Sequence, residues 1–138
     1  MSETVKGGCY LFNRDNGCIA LIYRDYRDDC SFPKGHLDEG ETIEECAIRE
    51  TAEEVKRVAR ILSDIPPTVE RYTTPSGEKC VCYMYIAEDM GHSDNDSWDT
   101  HDLIWVPIDE VEDHLTYEGL KVHWRAVKDT IKDLLKSN

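Results

Sequence analysis

The sequence predicts a single α/β domain spanning residues 1–138, and three observations predict it. The length of 138 residues fits one domain. Runs rich in β-branched and aromatic residues alternate along the chain with two stretches of helical periodicity. No linker, repeat or low-complexity segment divides the chain. Strands and helices mixed in this way pack as layers around one hydrophobic core.

The strands are predicted from short apolar runs bounded by turn residues. GCYLF and GCIALIY flank NRDNG, where Asn16 and Gly17 favour a hairpin turn because both tolerate a positive φ. Further strands are predicted at VARIL, TVERYTT, KCVCYMYIAE and DLIWVPI. The alternation in KCVCYMYIAE places Val81, Tyr83 and Tyr85 on one face of its strand.

Two amphipathic helices are predicted, together with a short one at IDEVEDHL. The first begins at about Thr42, because Thr42 and Glu45 have the spacing of a capping box. Its spacing predicts inward positions at Ile43, Ala47, Ile48, Ala52 and Val55. The closing helix begins near Tyr117, and its predicted inward positions are Leu120, Trp124, Val127, Ile131 and Leu134.

The charge balance excludes several classes of partner. A formal net charge of -13 disfavours nucleic acids and anionic membranes, because both are polyanions. The first residues, MSETVKGGCYLF, lack a basic leader with a long apolar run, and no apolar run approaches membrane-spanning length. Six cysteines without a CxxC pair indicate reduced thiols. These features predict a cytoplasmic protein, of open oligomeric state, with a small-molecule partner.

The segment FPKGHLDEGETIEECAIRETAEEVKR, residues 32–57, contains seven glutamates and one aspartate. On the predicted helix Glu50, Glu53 and Glu54 project close together, and like charges at this spacing are destabilising. A solvated face near the helix N-terminus is one interpretation, since the helix dipole favours acid there. Glu53 and Glu54 lie towards the C-terminal end, however, where the dipole disfavours acid. A cation bound by the carboxylates is therefore the second interpretation.

The residues before the helix favour the second interpretation. Gly35 allows a close approach of backbone and ligand, and Lys34 and His36 are cation-capable side chains suited to phosphate. Carboxylates together with substrate phosphates are the usual ligands of Mg²⁺. The sequence thus indicates a magnesium site that recruits a phosphate compound.

The spacing of these residues resembles the Nudix box, G-x5-E-x7-R-E-U-x-E-E-x-G-U. The matching positions are Gly35, Glu41, Arg49, Glu50, Glu53 and Glu54. The chain departs from the pattern at three places, with Thr51 at a hydrophobic position and Lys56 and Arg57 at the glycine and the hydrophobic position that end the box. We expect Lys56 and Arg57 to complement the negative end of the helix dipole, and they leave the end of the helix open.

The resemblance implies the Nudix fold, an α/β/α sandwich around a mixed sheet. It implies that Mg²⁺, or Mn²⁺, is held by Glu50, Glu54 and Glu53, with a backbone carbonyl near Gly35. Arg49 and Glu41 have structural roles in that pattern.

The general base in the resemblance is Glu50 or Glu54, or an acid from a later loop. Asp102 stands three residues before Trp105, where many relatives carry a glutamate. Asp102 is therefore a candidate for the base or for an additional ligand. A surface acid at the start of a strand explains it equally well.

The stretch PKGHLDEGE also resembles the diadenosine tetraphosphate hydrolases within this family. That resemblance implies cleavage of diadenosine tetraphosphate to ATP and AMP. Lys34 and His36 would meet the polyphosphate, and Tyr83 and Tyr117 would stack on adenine. Packing within the sheet explains Tyr83 equally well. A nucleoside triphosphate, a diphosphoinositol polyphosphate or an RNA 5′ end remain alternative substrates, and a non-catalytic nucleotide sensor is a further alternative, which the retained glutamates disfavour.

Overall fold

A computed structural model of the chain describes residues 3–98 and 100–136. The strands are β1 (Thr4–Asn13), β2 (Cys18–Arg24), β3 (Asp29–Ser31), β4 (Lys34–His36), β5 (Arg57–Ile61), β6 (Thr68–Thr73), β7 (Lys79–His92) and β8 (Asp102–Pro107). The helices are α1 (Ile43–Val55), α2 (Val111–His114) and α3 (Glu118–Lys136), and a 3₁₀ turn, Ile108–Glu110, precedes α2. None of the helices in the described ranges is long and apolar enough to cross a bilayer.

The eight strands form one mixed sheet around β1. β1 runs parallel to β7, in register from Thr4 opposite Cys80 to Phe12 opposite Glu88. Its other edge pairs antiparallel with β4 in the first half and with β2 in the second. β7 also pairs with β6 and β5, and β2 pairs with β3 and β8. The edge of β1 where β4 pairs lies beneath α1 and positions the site described below.

The sheet has a hydrophobic cluster on each face, and a helix covers each cluster. The larger cluster packs side chains of β1, β2 and β7 against α3, with Trp124 and Ile131 fully buried. The smaller cluster packs Cys9, Leu11 and Tyr85 against Ala47 of α1. Because neighbouring residues of a strand point to opposite faces, α1 and α3 lie on opposite sides of the sheet. The predicted α/β/α sandwich is confirmed.

Most predicted elements are confirmed, including the hairpin at Asn16 and Gly17 and the closing helix. The sequence did not predict β3 and β4, which are three residues each. Strands this short show no periodicity, and they exist because β2 and β1 offer them edges for pairing. Both lie in the polar stretch before α1, where the sequence indicated only a loop.

Helix α1 begins as predicted. The Thr42 hydroxyl accepts from the Glu45 N–H at 3.1 Å, and the Glu45 carboxylate accepts from the Thr42 N–H at 2.8 Å. The predicted inward position of Ile48 is wrong, because that side chain is 38% exposed. Ala47 and Val55 are buried as predicted, and Glu50 and Glu54, which were not predicted inside, are each only 7% exposed.

The end of α1 differs from the expectation at Lys56 and Arg57. Lys56 caps the helix in the left-handed region, with φ 58°, a conformation more common for the glycine it replaces. Its ammonium donates to the Ser97 carbonyl at 2.9 Å. Arg57 lies in β5 and forms a two-bond ion pair with Asp89. Both side chains thus have hydrogen-bond partners outside α1, and their effect on the helix dipole stays a prediction.

Candidate active site

Arg49 joins the loop before α1 to the helix itself. Its guanidinium donates two hydrogen bonds to Glu41, at 2.7 and 3.0 Å, and one to the His36 carbonyl at 2.8 Å. It also donates to Glu50 at 3.0 Å and to Glu53 at 3.2 Å. The bonds from Arg49 hold the pKa of the Glu41 carboxyl below its usual value. Arg49 also orients the Glu50 and Glu53 carboxylates that accept its hydrogen bonds.

The Glu50 carboxylate lies directly over the backbone of Gly35. A Cβ added to Gly35 would meet the Glu50 carboxyl carbon at 2.1 Å and both of its oxygens at 2.3 Å. A side chain at Gly35 and the observed carboxylate therefore cannot coexist. The glycine opens a seat into which Glu50 fits, while the pairing of β4 with β1 fixes the position of that seat.

Glu54 lies one helical turn beyond Glu50 and meets a different part of the loop. Its carboxylate accepts the Lys34 N–H at 2.8 Å. The His101 side chain approaches the same carboxylate at 3.7 Å, and the His101 N–H donates to the Glu54 carbonyl at 2.9 Å. β4 and the segment before β8 thus converge on one acidic side chain of α1.

Lys34 and His36 face the opposite side of β4 from Gly35, as alternation requires. The Lys34 side chain is half-buried. Burial lowers its pKa from the usual value, and the nearby Glu54 charge opposes this effect. The His36 side chain is exposed. Of the two predicted phosphate-contacting residues, Lys34 is partly withdrawn from water with Glu54 nearby, and His36 is exposed on the same side of β4.

The residues present fit a hard divalent cation. Glu50 and Glu54 are one turn apart on one helix face and withdrawn from water. Glu50 lies against the Gly35 backbone, where a side chain would not fit, and Glu54 accepts the Lys34 N–H. The Gly35 carbonyl accepts a weak 3.5 Å contact from the Cys46 thiol, and Gly35 pairs with Gly7 in the β1–β4 ladder. In the described parts of the chain no three acidic, His or Cys side chains already stand in a ligating arrangement. Arg49 donates to Glu50 and Glu53, two of the three carboxylates predicted to bind the metal.

Asp102 is exposed at the start of β8 and lines a cavity beside the acidic helix. The residue of this segment that reaches Glu54 is its neighbour His101, to which the sequence analysis assigned no role. The only signal for His101 in the sequence was its position next to Asp102.

The two candidate stacking tyrosines lie on different sides of the molecule. Tyr83 is half-buried and packs against the cluster beneath α1. Tyr117 precedes α3 and is 45% exposed. Its hydroxyl donates at 2.6 Å to Asp29, a buried carboxylate that also receives two bonds from Arg24. The structure therefore does not bring the two rings together as one clamp.

The fold and the acidic helix together define a class of protein, the α/β/α sandwiches with a glutamate-rich helix seated on a glycine loop. The sequence matches the NUDIX domain over residues 4–129. The chain therefore belongs to the Nudix family.

Two curated relatives and one solved structure illustrate the similarity. An 8-oxo-(d)GTP phosphatase of Mycolicibacterium smegmatis is 36% identical over 111 residues, covering 80% of this chain and 34% of that protein. The MutT4 protein of Mycobacterium tuberculosis is 32% identical over 147 residues, covering 99% of this chain and 58% of that protein. This chain thus spans about a third and somewhat over half of their lengths.

Among solved structures, a Caenorhabditis elegans Ap4A hydrolase in a binary complex superposes with a TM-score of 0.78. Its sequence is 20% identical, and the match covers 94% of this chain and 98% of that one. At that identity the likeness concerns the fold.

Proposed function

We propose that this chain is a metal-dependent hydrolase that cleaves a phosphoanhydride bond of a nucleoside diphosphate-linked compound. The observation that carries the proposal is the buried pair Glu50 and Glu54, seated against Gly35 and the Lys34 N–H. Burying two carboxylates is unfavourable unless something compensates their charge. The bonds from Arg49 and from the Lys34 N–H compensate that charge in the structure, and a bound cation would stabilise the two carboxylates further.

Mg²⁺, or Mn²⁺, is the proposed ion, and Glu50, Glu54 and Glu53 would hold it with the Gly35 carbonyl. When bound, such an ion neutralises charge on phosphate oxygens and acidifies water. The protein's own contribution is orientation: Arg49 fixes Glu50 and Glu53, and Glu41 fixes Arg49. Lys34 and His36 would bind the phosphates of the substrate.

A carboxylate of the site would accept the proton of the attacking water. Glu50 and Glu54 are the proposed bases. Asp102 remains a candidate for this role on the resemblance alone, since it is exposed at the start of β8.

The first substrate proposed is diadenosine tetraphosphate, cleaved to ATP and AMP. Its support is the stretch PKGHLDEGE, together with the exposed Tyr117 ring beside the Arg24–Asp29 pair. The second candidate is an oxidised nucleoside triphosphate. The observation that favours it is the 36% identity with the 8-oxo-(d)GTP phosphatase.

A substrate panel tests the proposal. Diadenosine tetraphosphate, 8-oxo-dGTP and dGTP are incubated with the protein and Mg²⁺, and the products are separated by chromatography. We expect ATP and AMP from the first substrate, and an activity that disappears in Glu50→Gln and on chelation. Faster turnover of 8-oxo-dGTP would select the second candidate. Turnover of none of the three compounds would contradict both proposed substrates, and full activity in Glu50→Gln would contradict the proposed catalytic site.

A further inference from the structure

We infer that Tyr26 and Trp98 line a nucleobase-stacking subsite, which binds the base carried on the far side of the reacting phosphates. This inference rests on the proposed function, because it assumes a substrate with a second base. Neither residue belongs to the Nudix box or to the resemblance to the diadenosine tetraphosphate hydrolases.

The subsite is a cleft of about 380 Å³ between the β2–β3 turn and the segment before β8. The side chains that line it are Tyr23, Arg24, Asp25, Tyr26, Trp98, Thr100, His101 and Asp102. Tyr26 is 69% exposed and Trp98 is 100% exposed. Large apolar side chains so exposed lose the stabilisation that burial provides, and two of them at one cleft offer flat surfaces to an aromatic ligand.

Hydrogen bonds fasten the loop that carries Trp98 to the end of α1. The Lys56 ammonium donates to the Ser97 carbonyl at 2.9 Å, and the Ser93 N–H donates to the Lys56 carbonyl at 2.9 Å. The bond from the His101 N–H to the Glu54 carbonyl closes the same loop. The loop that carries Trp98 is therefore attached to the helix that bears the carboxylates. This attachment fixes the position of the loop relative to Glu54.

His101 connects the cleft to a carboxylate of α1, and Arg24 adds a cationic side chain to the lining of the cleft. His101 lines the cleft, lies 6.3 Å from the Tyr26 ring between centroids, and approaches Glu54 at 3.7 Å. Arg24 lines the cleft and is held by buried Asp29. A polyphosphate held near Glu54 by the proposed cation would extend past His101 and Arg24, and the nucleoside at its far end would reach the two aromatic rings.

The cleft suits binding of a nucleobase without selectivity for which base it is. It is open to solvent, so hydrogen bonds to the edge of a base would compete there with water. Stacking on aromatic faces tolerates any base and contributes affinity for each ring that takes part. A distal base needs this kind of binding, whereas discrimination between oxidised and normal bases requires buried polar groups that contact the edge of the base.

Equilibrium binding tests the inference. Wild-type protein and the Trp98→Ala variant are titrated with diadenosine tetraphosphate and with ATP, with Ca²⁺ in place of Mg²⁺ to slow turnover. In Trp98→Ala we expect the Kd for diadenosine tetraphosphate to be roughly fivefold to a hundredfold higher than in the wild type. The Kd for ATP should change much less, because ATP carries no second base. Trp98→Phe should retain most of the affinity, because it keeps an aromatic face. Tyr26→Ala should repeat the effect of Trp98→Ala.

Tryptophan fluorescence gives a second readout. Trp124 is fully buried and Trp105 packs against the cluster beneath α1, so quenching by a stacked base reports on Trp98. Met90→Ala is the matched control, because Met90 is 54% exposed and lines a different cleft. The inference would be overturned if Trp98→Ala raised the Kd for ATP as much as the Kd for diadenosine tetraphosphate. It would also be overturned if Met90→Ala raised the Kd for diadenosine tetraphosphate as much as Trp98→Ala does. If the protein binds diadenosine tetraphosphate with Trp98 quenched but never cleaves it, the subsite stands and the proposed activity fails.

Discussion

Gly35→Ala should abolish most of the activity and leave the fold intact. The new methyl group would lie 2.1 Å from the carboxyl carbon of Glu50, whereas ordinary contacts begin at about 3.4 Å. The carboxylate must therefore retreat by more than 1 Å. The atoms that move are the far end of a flexible side chain, so the steric cost is small. A catalytic group misplaced by about 1 Å can lose roughly a hundredfold in rate.

We expect kcat/KM to fall about a hundredfold or more, with Tm within about 3 °C of the wild type. Initial rates with Mg²⁺ and thermal melts measure the two quantities. Glu50→Asp in the Gly35→Ala background shortens the acid and should restore part of the activity. Wild-type kcat/KM in folded Gly35→Ala would refute the role of Glu50 and its seat.

Gly8→Ala provides the contrast. Its Cβ would meet the Pro33 carbonyl oxygen at 2.2 Å and the Lys34 Cα at 2.9 Å, which are backbone atoms. Backbone cannot rotate away, so this variant should lose about 1–3 kcal/mol of unfolding free energy. The same substitution at two glycines of paired strands would then separate an effect on catalysis from an effect on the fold.

Three further predictions concern the surroundings of the site. Lys56→Met keeps the left-handed cap but loses the bond to Ser97, and should lower the unfolding free energy by about 1 kcal/mol in denaturant titrations; Lys56→Gly, which relieves the backbone strain, should be the more stable of the two. Tyr117→Phe removes a hydrogen bond to buried, charged Asp29 and should lower stability by about 1.5–3 kcal/mol, although a phenylalanine ring could still stack; an unchanged midpoint would mean that this hydroxyl contributes nothing. The bonds from Arg24 hold the Asp29 pKa below its usual value near 3.9, so the stability that Asp29 contributes is present above that value and is lost as the pH falls through the folded pKa. The stability gap between wild type and Asp29→Asn should accordingly narrow in acid, and a gap independent of pH would contradict the assignment.

The helix and its acids could be predicted because the relevant information is local. The box spacing sets Gly35, Glu41, Arg49 and the glutamates in one register, and Thr42 with Glu45 marks where the helix begins. A motif of this length gives the order of the residues along the loop and helix. The seat of Glu50 over Gly35 then follows once β4 pairs with β1.

The surroundings of that helix could not be predicted, because distant segments build them. β3 and β4 exist only as partners of other strands. His101, which reaches Glu54, lies 47 residues further along the chain, and Trp98 and Tyr26 line one cleft although they lie far apart in the sequence. The local periodicity of the sequence cannot predict contacts between segments so far apart. The hydroxyl bond of Tyr117 to Asp29 likewise joins residues 88 positions apart.

The one clear failure of the helical pattern falls at the proposed site. The amphipathic spacing of α1 predicted Ile48 inside, yet the helix turns Ile48 to solvent and buries Glu50 and Glu54. A buried isoleucine and exposed glutamates would be the more stable arrangement for the helix alone, since charges withdrawn from water are destabilising. Buried charged residues of this kind are retained when other contacts in the protein stabilise them. Here Arg49 and the backbone of the preceding loop hold the two carboxylates in place, and the proposed divalent cation would stabilise them further.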